Sequence, residues 1–384
     1  MEGQTIELPS VRIERRAVKR IDFWLLGAVL FLEILSLPLI DSATHSAGGH
    51  YYVKKQLALI VVSLMMLGLG TFIDYRDLIR VSPWIYAANL MLLAALPFIG
   101  KTVGGSTRWI PLGFFDLQPS ELQKLVTILL TANLLCTRDG PPDSFWDVVP
   151  VYGWLAIPAV LVLKQPDLGT TLVIVVIATG MLYFSGAPGK LLFRLMATGL
   201  IVVLILLWLY LYAGVPLPIE EHWINRLTSA LNPEKDPLGT GYQVLQSKIA
   251  IGSGTVWGKG LGQGTQNRLD FIPEQQTDFI FSVVGEELGF VKTLAVLGVY
   301  VLLLYRCLIS AFESPDTEGT LVAGGVLTML LFQILVNIGM TMGIMPVTGI
   351  PLPFLSYGGT ALVVNTFSMG LVLNVSWKRH KILF

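Results

Sequence analysis

Ten apolar runs, each about the length needed to cross a bilayer, govern what this chain can fold into. They fall at 22–41, 56–73, 83–99, 119–136, 148–163, 168–186, 191–213, 288–307, 320–343 and 353–376. A helix of about 17–25 apolar residues spans the hydrocarbon core. Lipid offers no partner for backbone N–H and C=O groups, so each run must satisfy its own by coiling into a helix. The expected fold class is an all-α polytopic membrane protein with ten transmembrane helices, forming a single membrane domain over 1–384. Only 14% of the residues are charged, against about 25% in an average soluble domain. The formal net charge is zero, which gives no pull toward nucleic acid. No nucleic-acid partner is expected.

Orientation follows from the basic residues. The stretch VRIERRAVKR at 11–20 precedes the first run. It could open a cleaved signal peptide, but the run is too long for an h-region and a second span follows directly. A retained first span is expected. With the N-terminus inside, the inner segments hold Arg12, Arg15, Arg16, Lys19, Arg20, Arg76, Arg80, Arg138, Lys190, Arg194, Arg306, Lys378, Arg379 and Lys381. The short outer loops hold only Lys54, Lys55, Lys101, Arg108 and Lys164. Excess Lys and Arg marks the cytoplasmic side, so both termini are expected there. The loop at about 214–287, between spans seven and eight, is then extracytoplasmic. Within it, 241–252 alternates apolar and polar residues at helical spacing and predicts an amphipathic helix at the interface.

Residues 257–290 form the chain's long polar interruption. They carry Asp270, Glu274, Asp278, Glu286 and Glu287. Carboxylate kept beside membrane spans usually serves function. Asp278 sits among Thr277, Phe279, Ile280 and Phe281. Partial desolvation there would make it a better base than a surface Asp. The plainer reading is an acidic helix cap. Glu121 and Lys124 are three apart, share a helix face, and can neutralise one another in the membrane. Arg108 suits bidentate phosphate contact, whereas the adjacent Trp109 also fits an interfacial anchor. Asp167 follows Pro166 in an outer turn and reads as a cap or a site residue. Gly258, Gly260, Gly262 and Gly264 lack the preceding strand of a nucleotide loop and better suit close backbone approach. Cys136 and Cys307 read as free thiols. His45, His50, His222 and His380 have no ligand spacing, so no protein-built metal site is expected.

The 257–290 stretch resembles the SEDS family (shape, elongation, division and sporulation) of peptidoglycan polymerases. Asn337 with MPVTGIPLPFLSYGGT at 345–360, STRWI at 106–110 and QPSEL at 118–122 resemble further family segments. The resemblance runs over nearly the whole chain. It implies glycan polymerisation from lipid II, with undecaprenyl diphosphate leaving and a β-1,4 bond forming. It implies Asp278 as the catalytic base and places Glu121, Lys124 and Asp167 in one cavity. Ser356, in the 345–360 segment, reads either as a further lining residue or as one of the small residues that let helices pack closely. Arg108, Lys124 and Lys248 are candidates for diphosphate or donor-sugar contacts, with Trp109 beside them. No cofactor is required, although a divalent cation (Mg or Mn) could ride on the diphosphate. Expected partners are a class B penicillin-binding protein that cross-links the glycan, and membrane proteins of the elongation complex. The short tails suit the elongation branch. The implied location is the bacterial cytoplasmic membrane, with the site facing the periplasm. Rival readings are a lipid II flippase and a non-catalytic scaffold for the transpeptidase.

Overall fold

The computed structural model describes residues 22–45, 49–103, 106–113, 115–138, 140–213, 239–269 and 271–378. The basic stretch at 11–20, the opening of the long loop at 214–238, Asp270 and residues 379–384 lie outside them.

Among the described residues, a helix occupies most of each of the ten apolar runs. In chain order they are α1 (Phe23–Ala43), α2 (Gly49–Phe72), α3 (Tyr75–Ile99), α4 (Pro119–Cys136), α5 (Phe145–Leu163), α6 (Leu168–Phe184) and α7 (Gly189–Ala213). Then come α8 (Thr240–Ser253), the single turn α9 (Thr265–Arg268), α10 (Ile280–Phe312), α11 (Thr317–Thr341) and α12 (Gly359–Lys378). Eight of these are long and apolar enough to cross a membrane unaided. The remaining two of the expected ten are α4, which carries Glu121 and Lys124, and the 17-residue α6. Both pack against α11 and each other, so neighbouring helices shelter them from lipid. The predicted helix at 241–252 is α8, whose buried Val244 and Ala250 face α10 and α11.

Acidic caps set several helix starts. Asp22, Asp74, Asp167 and Asp316 each accept a backbone N–H from the first turn of α1, α3, α6 and α11, which satisfies an otherwise unpaired donor and suits the positive helix end. Ion pairs then tie one end of the bundle: Arg306 to Asp22 at 2.5 Å, Arg138 to Asp147 at 2.5 Å, Arg76 to Asp316 and Lys378 to Asp74. The α1–α2, α3–α4, α5–α6 and α11–α12 connections lie at the other end. α2 and α12 touch through small residues: a side chain on Gly370 would begin 2.4 Å from the Leu67 carbonyl oxygen. Close backbone contact of this kind substitutes for the hydrophobic drive that lipid removes.

Two departures from the expected pattern shape the site end. The α3–α4 connection is a small antiparallel sheet, β1 (Lys101–Val103), β2 (Ser106–Pro111) and β3 (Asp116–Leu117), in the order β1-β2-β3. Lys101 pairs with Trp109 and Ile110 with Leu117. The last apolar run becomes helical only at Gly359, because Pro346, Pro351 and Pro353 cannot donate to a helical ladder. Residues 342–358 are irregular instead. Such backbone survives at membrane depth only where protein pairs it, and here it does: Tyr300 donates to the Pro353 carbonyl at 2.6 Å and Asn337 to that of Ile350 at 2.8 Å.

α10 is itself broken. Gly289 has φ 74° and ψ 179°, a conformation open to glycine. The groups released by the break are paired by the glycine-rich loop. The Glu286 and Glu287 carbonyls accept from the amides of Lys259 and Gly260 at 3.1 and 3.0 Å, and the amides of Phe290 and Val291 donate to Thr255 and Val256 at 2.9 and 3.1 Å.

Candidate active site

A cavity of about 440 Å³ opens at the end of the bundle opposite the ion-paired one. Its walls come from α2, the small sheet, the starts of α4 and α6, the segment before α10 and the irregular segment before α12. Segments more than 200 residues apart in sequence therefore share one space.

Asp278 lines this cavity and is half-buried. Its amide donates to the Glu274 carbonyl at 3.2 Å, and its own carbonyl accepts from Asn337 Nδ2 at 2.8 Å. The cap position of α10 falls one residue later, at Phe279, so Asp278 is not the helix cap that the plainer reading expected. Gly349 keeps the space beside the carboxylate clear: a side chain there would begin 3.3 Å from Asp278 Oδ2.

Ser356 acts one layer behind. It is buried, accepts from the Leu352 amide at 2.8 Å and donates to the Thr277 carbonyl at 2.6 Å. The Tyr357 amide donates to the Gln276 carbonyl at 2.9 Å. Ser356 therefore fixes the backbone next to Asp278 and is not among the lining residues, whereas Tyr357, Gly358 and Gly359 are.

Glu121 lines the cavity, and Lys124 lies behind it with Nζ 2.5 Å from Glu121 Oε2. Their side chains are 4% and 1% exposed. Two charges so deeply placed are tolerable only together. Lys124, a candidate for diphosphate contact, is thus paired with Glu121 and is not among the lining residues. Asp167 also lines the cavity but is heavily engaged. It accepts from the Thr170 amide at 3.0 Å and hydroxyl at 2.9 Å, from Ser120 at 3.4 Å and from Gln118 at 3.5 Å. It caps α6 and joins it to α4.

Arg108 and Trp109 lie on β2 and line the same cavity, each half-buried. Arg108 Nε and Nη2 donate to the Gln165 and Pro166 carbonyls, both at 2.6 Å. The guanidinium fork thereby clamps the sheet to the α5–α6 turn. Lys248 is exposed on α8, its stem 3.1 Å from where a Gly343 side chain would begin, and it lies outside the cavity lining. The surface of α8 that packs on α10 and α11 is the one carrying Val244, Ser247 and Ala250, which leaves Lys248 outward.

Two of the acidic residues in the polar stretch serve the loop instead of the cavity. Glu286 Oε1 accepts from Lys259 Nζ at 2.7 Å and from the Thr265 and Gln266 amides at 2.8 and 3.1 Å. Glu287 accepts from the Gly262 amide at 3.0 Å and from Ser42. Both side chains are fully buried. Gly258 lies against the α10 break, where a side chain would begin 2.2 Å from the Glu287 carbonyl oxygen, in keeping with the close approach expected of that glycine.

Lys55, Asp116 and Glu274 also line the cavity and were not singled out from sequence as site residues. Lys55 had served only the charge count for orientation. Its position beside an apolar run was the one available signal. Among the described residues, no group of three or more His, Cys, Asp or Glu is placed to hold a metal.

A many-helix membrane protein with a carboxylate-lined cavity at one end of its bundle is the class this fold and site define. The profile of the FtsW/RodA/SpoVE family of cell cycle proteins matches residues 17–381, and the chain belongs to this SEDS family. It is 36% identical over 364 residues to peptidoglycan glycosyltransferase MrdB of Escherichia coli (strain K12), covering 94% of each chain. It is 35% identical over 363 residues to stage V sporulation protein E of Bacillus subtilis (strain 168), covering 92% of this chain and 96% of the other. Among solved structures, a chain from a peptidoglycan synthase complex that coordinates polymerization and crosslinking superposes with a TM-score of 0.77 at 30% identity, covering 93% and 97%. The Thermus thermophilus rod shape determining protein RodA superposes with a TM-score of 0.68 at 29% identity, covering 94% and 98%.

Proposed function

We propose that this protein is a peptidoglycan glycosyltransferase that polymerises lipid II at the outer face of the bacterial cytoplasmic membrane, with Asp278 as general base. The observation that carries the reading is the place of Asp278: half-buried, in the wall of the polar cavity, beside a glycine that leaves its carboxylate room. Family membership and the likeness to MrdB support it.

In the proposed step, the acceptor sugar's 4-hydroxyl gives its proton to the Asp278 carboxylate. The freed oxygen bonds to the donor's anomeric carbon as the bond from that carbon to the diphosphate oxygen breaks. Undecaprenyl diphosphate leaves with the electron pair, and inversion yields the β-1,4 link. Diphosphate is a good leaving group, so no covalent nucleophile is needed. A positioned base contributes about 10²–10⁴-fold.

The distribution of Lys and Arg supports cytoplasmic termini, and with them a cavity that faces the periplasm. The likeness to MrdB and RodA supports a role in elongation and rod shape. A class B penicillin-binding protein is the proposed partner, supported by the synthase complex that the chain resembles.

The test is Asp278→Asn in purified protein supplied with lipid II and its partner, with glycan strands resolved on a gel. Polymer should fall at least about 100-fold with thermal unfolding unchanged. Polymer at the wild-type level would remove Asp278 as base, and no polymer from wild type with its partner would favour a flippase.

A further inference from the structure

The charges lining the cavity are unbalanced. Asp116, Glu121, Asp167, Glu274 and Asp278 are acidic, whereas Lys55 and Arg108 are the cations. An anionic headgroup entering such a space needs a free positive partner. The nearby cations are committed elsewhere: Arg108 to two backbone carbonyls, Lys124 to Glu121, and Lys101 to Asp116 at 3.7 Å. Lys55 is different. Among the described residues it has no ion pair or hydrogen bond, and it is half-buried in the cavity wall.

Its placement is held by its neighbours on α2. Tyr52 packs edge-on against Tyr357 with ring centroids 5.3 Å apart. Gln56 is buried and donates to Ser36 at 3.3 Å. Leu59, one turn on and on the same face, lies 3.3 Å from where a Gly359 side chain would begin. The Gln56 contact ties α2 to α1, and the Tyr52 and Leu59 contacts pin its first turns to residues 357–359. The same segment holds the turn before Asp278, where the Tyr357 amide donates to the Gln276 carbonyl. One continuous wall therefore carries the free ammonium and the carboxylate.

We propose that Lys55 binds the diphosphate of the polyprenyl-linked substrate and steadies the charge that grows on it as it leaves. This rests on the lipid II reading above. Lys55 contributes charge and hydrogen bonds, which act most strongly where charge develops in a desolvated site.

The test is direct binding by the full-length protein in detergent micelles, with undecaprenyl diphosphate as probe and inorganic diphosphate alongside. Loss of a charged hydrogen bond predicts that Lys55→Gln weakens lipid diphosphate binding by about tenfold or more. Lys55→Arg should stay within about threefold, because the charge is kept. Lys55→Met, which keeps the apolar stem, should match Lys55→Gln, and thermal unfolding of each variant separates lost binding from lost fold. Unchanged binding in folded Lys55→Gln or Lys55→Met would overturn the assignment, as would Lys55→Arg failing equally. Inorganic diphosphate binding as tightly as the lipid would overturn the lipid-linked source. Absence of polymer with wild-type lipid diphosphate binding intact would instead count against the polymerase reading alone.

Discussion

At the residue scale, the Glu121–Lys124 pair makes the sharpest distinction between structure and chemistry. Removing one partner leaves a buried charge alone, at a cost of about 3–5 kcal/mol. Glu121→Gln and Lys124→Met should each lower thermal stability strongly in detergent. The double variant, which removes both charges, should recover most of the loss, and additive losses would show that the two side chains are not coupled. An inactive single variant therefore says little about substrate contact, whereas an inactive but stable double variant would place one of them in the reaction. The spacing of three residues made this pair readable from sequence, since a helix brings such positions together. Nothing local revealed that Arg108 spends its donors on the Gln165 and Pro166 carbonyls, because those partners are 57 and 58 residues away.

At the scale of elements, the break in α10 is the feature with the clearest consequence. A side chain on Gly289 would begin 2.0 Å from the Gly258 amide nitrogen, at a φ of 74°. Gly289→Ala cannot be accommodated without expelling the 254–260 loop and leaving the backbone groups at the break unpaired. It should abolish recovery of folded, monodisperse protein. Gly298→Ala on the same helix, with open space around it, should leave recovery unchanged and serves as the control. Equal recovery of the two variants would remove the break as a structural requirement. The apolar run beginning at 288 marked only the second part of this helix. The first part, Ile280–Leu288, includes Glu286 and Glu287, which composition assigns to a polar loop. Their burial becomes tolerable only because Lys259, Ser42 and loop amides meet them. α4 teaches the same lesson, since its charges are affordable in a helix that lipid does not reach.

At the scale of the whole molecule, the paired end and the cavity end lie at opposite poles of the bundle. With cytoplasmic termini, Asp77 lies inside and Lys101 outside, and both side chains are well exposed, at 67% and 55%. In a background with Cys136 and Cys307 replaced by Ala, a membrane-impermeant thiol reagent should label Lys101→Cys in cells with a permeabilised outer envelope. Asp77→Cys should label only once the cytoplasmic membrane is opened. The reverse pattern would invert the proposed topology and place the cavity on the wrong side for lipid II polymerisation.

Sequence alone determined the class and helix order of this protein, because a bilayer imposes one rule on every apolar run: pair the backbone within itself or do not cross. It also marked Asp278 as a site candidate, since a carboxylate next to a span is a functional hypothesis by default. The tertiary structure alone decided which charges remain available. Burial and pairing depend on neighbours brought together from distant segments. Lys124, Arg108, Glu286 and Glu287 are thereby taken up in holding the fold, Lys248 is left outside, and Lys55 stands in the cavity wall without an ion pair among the described residues.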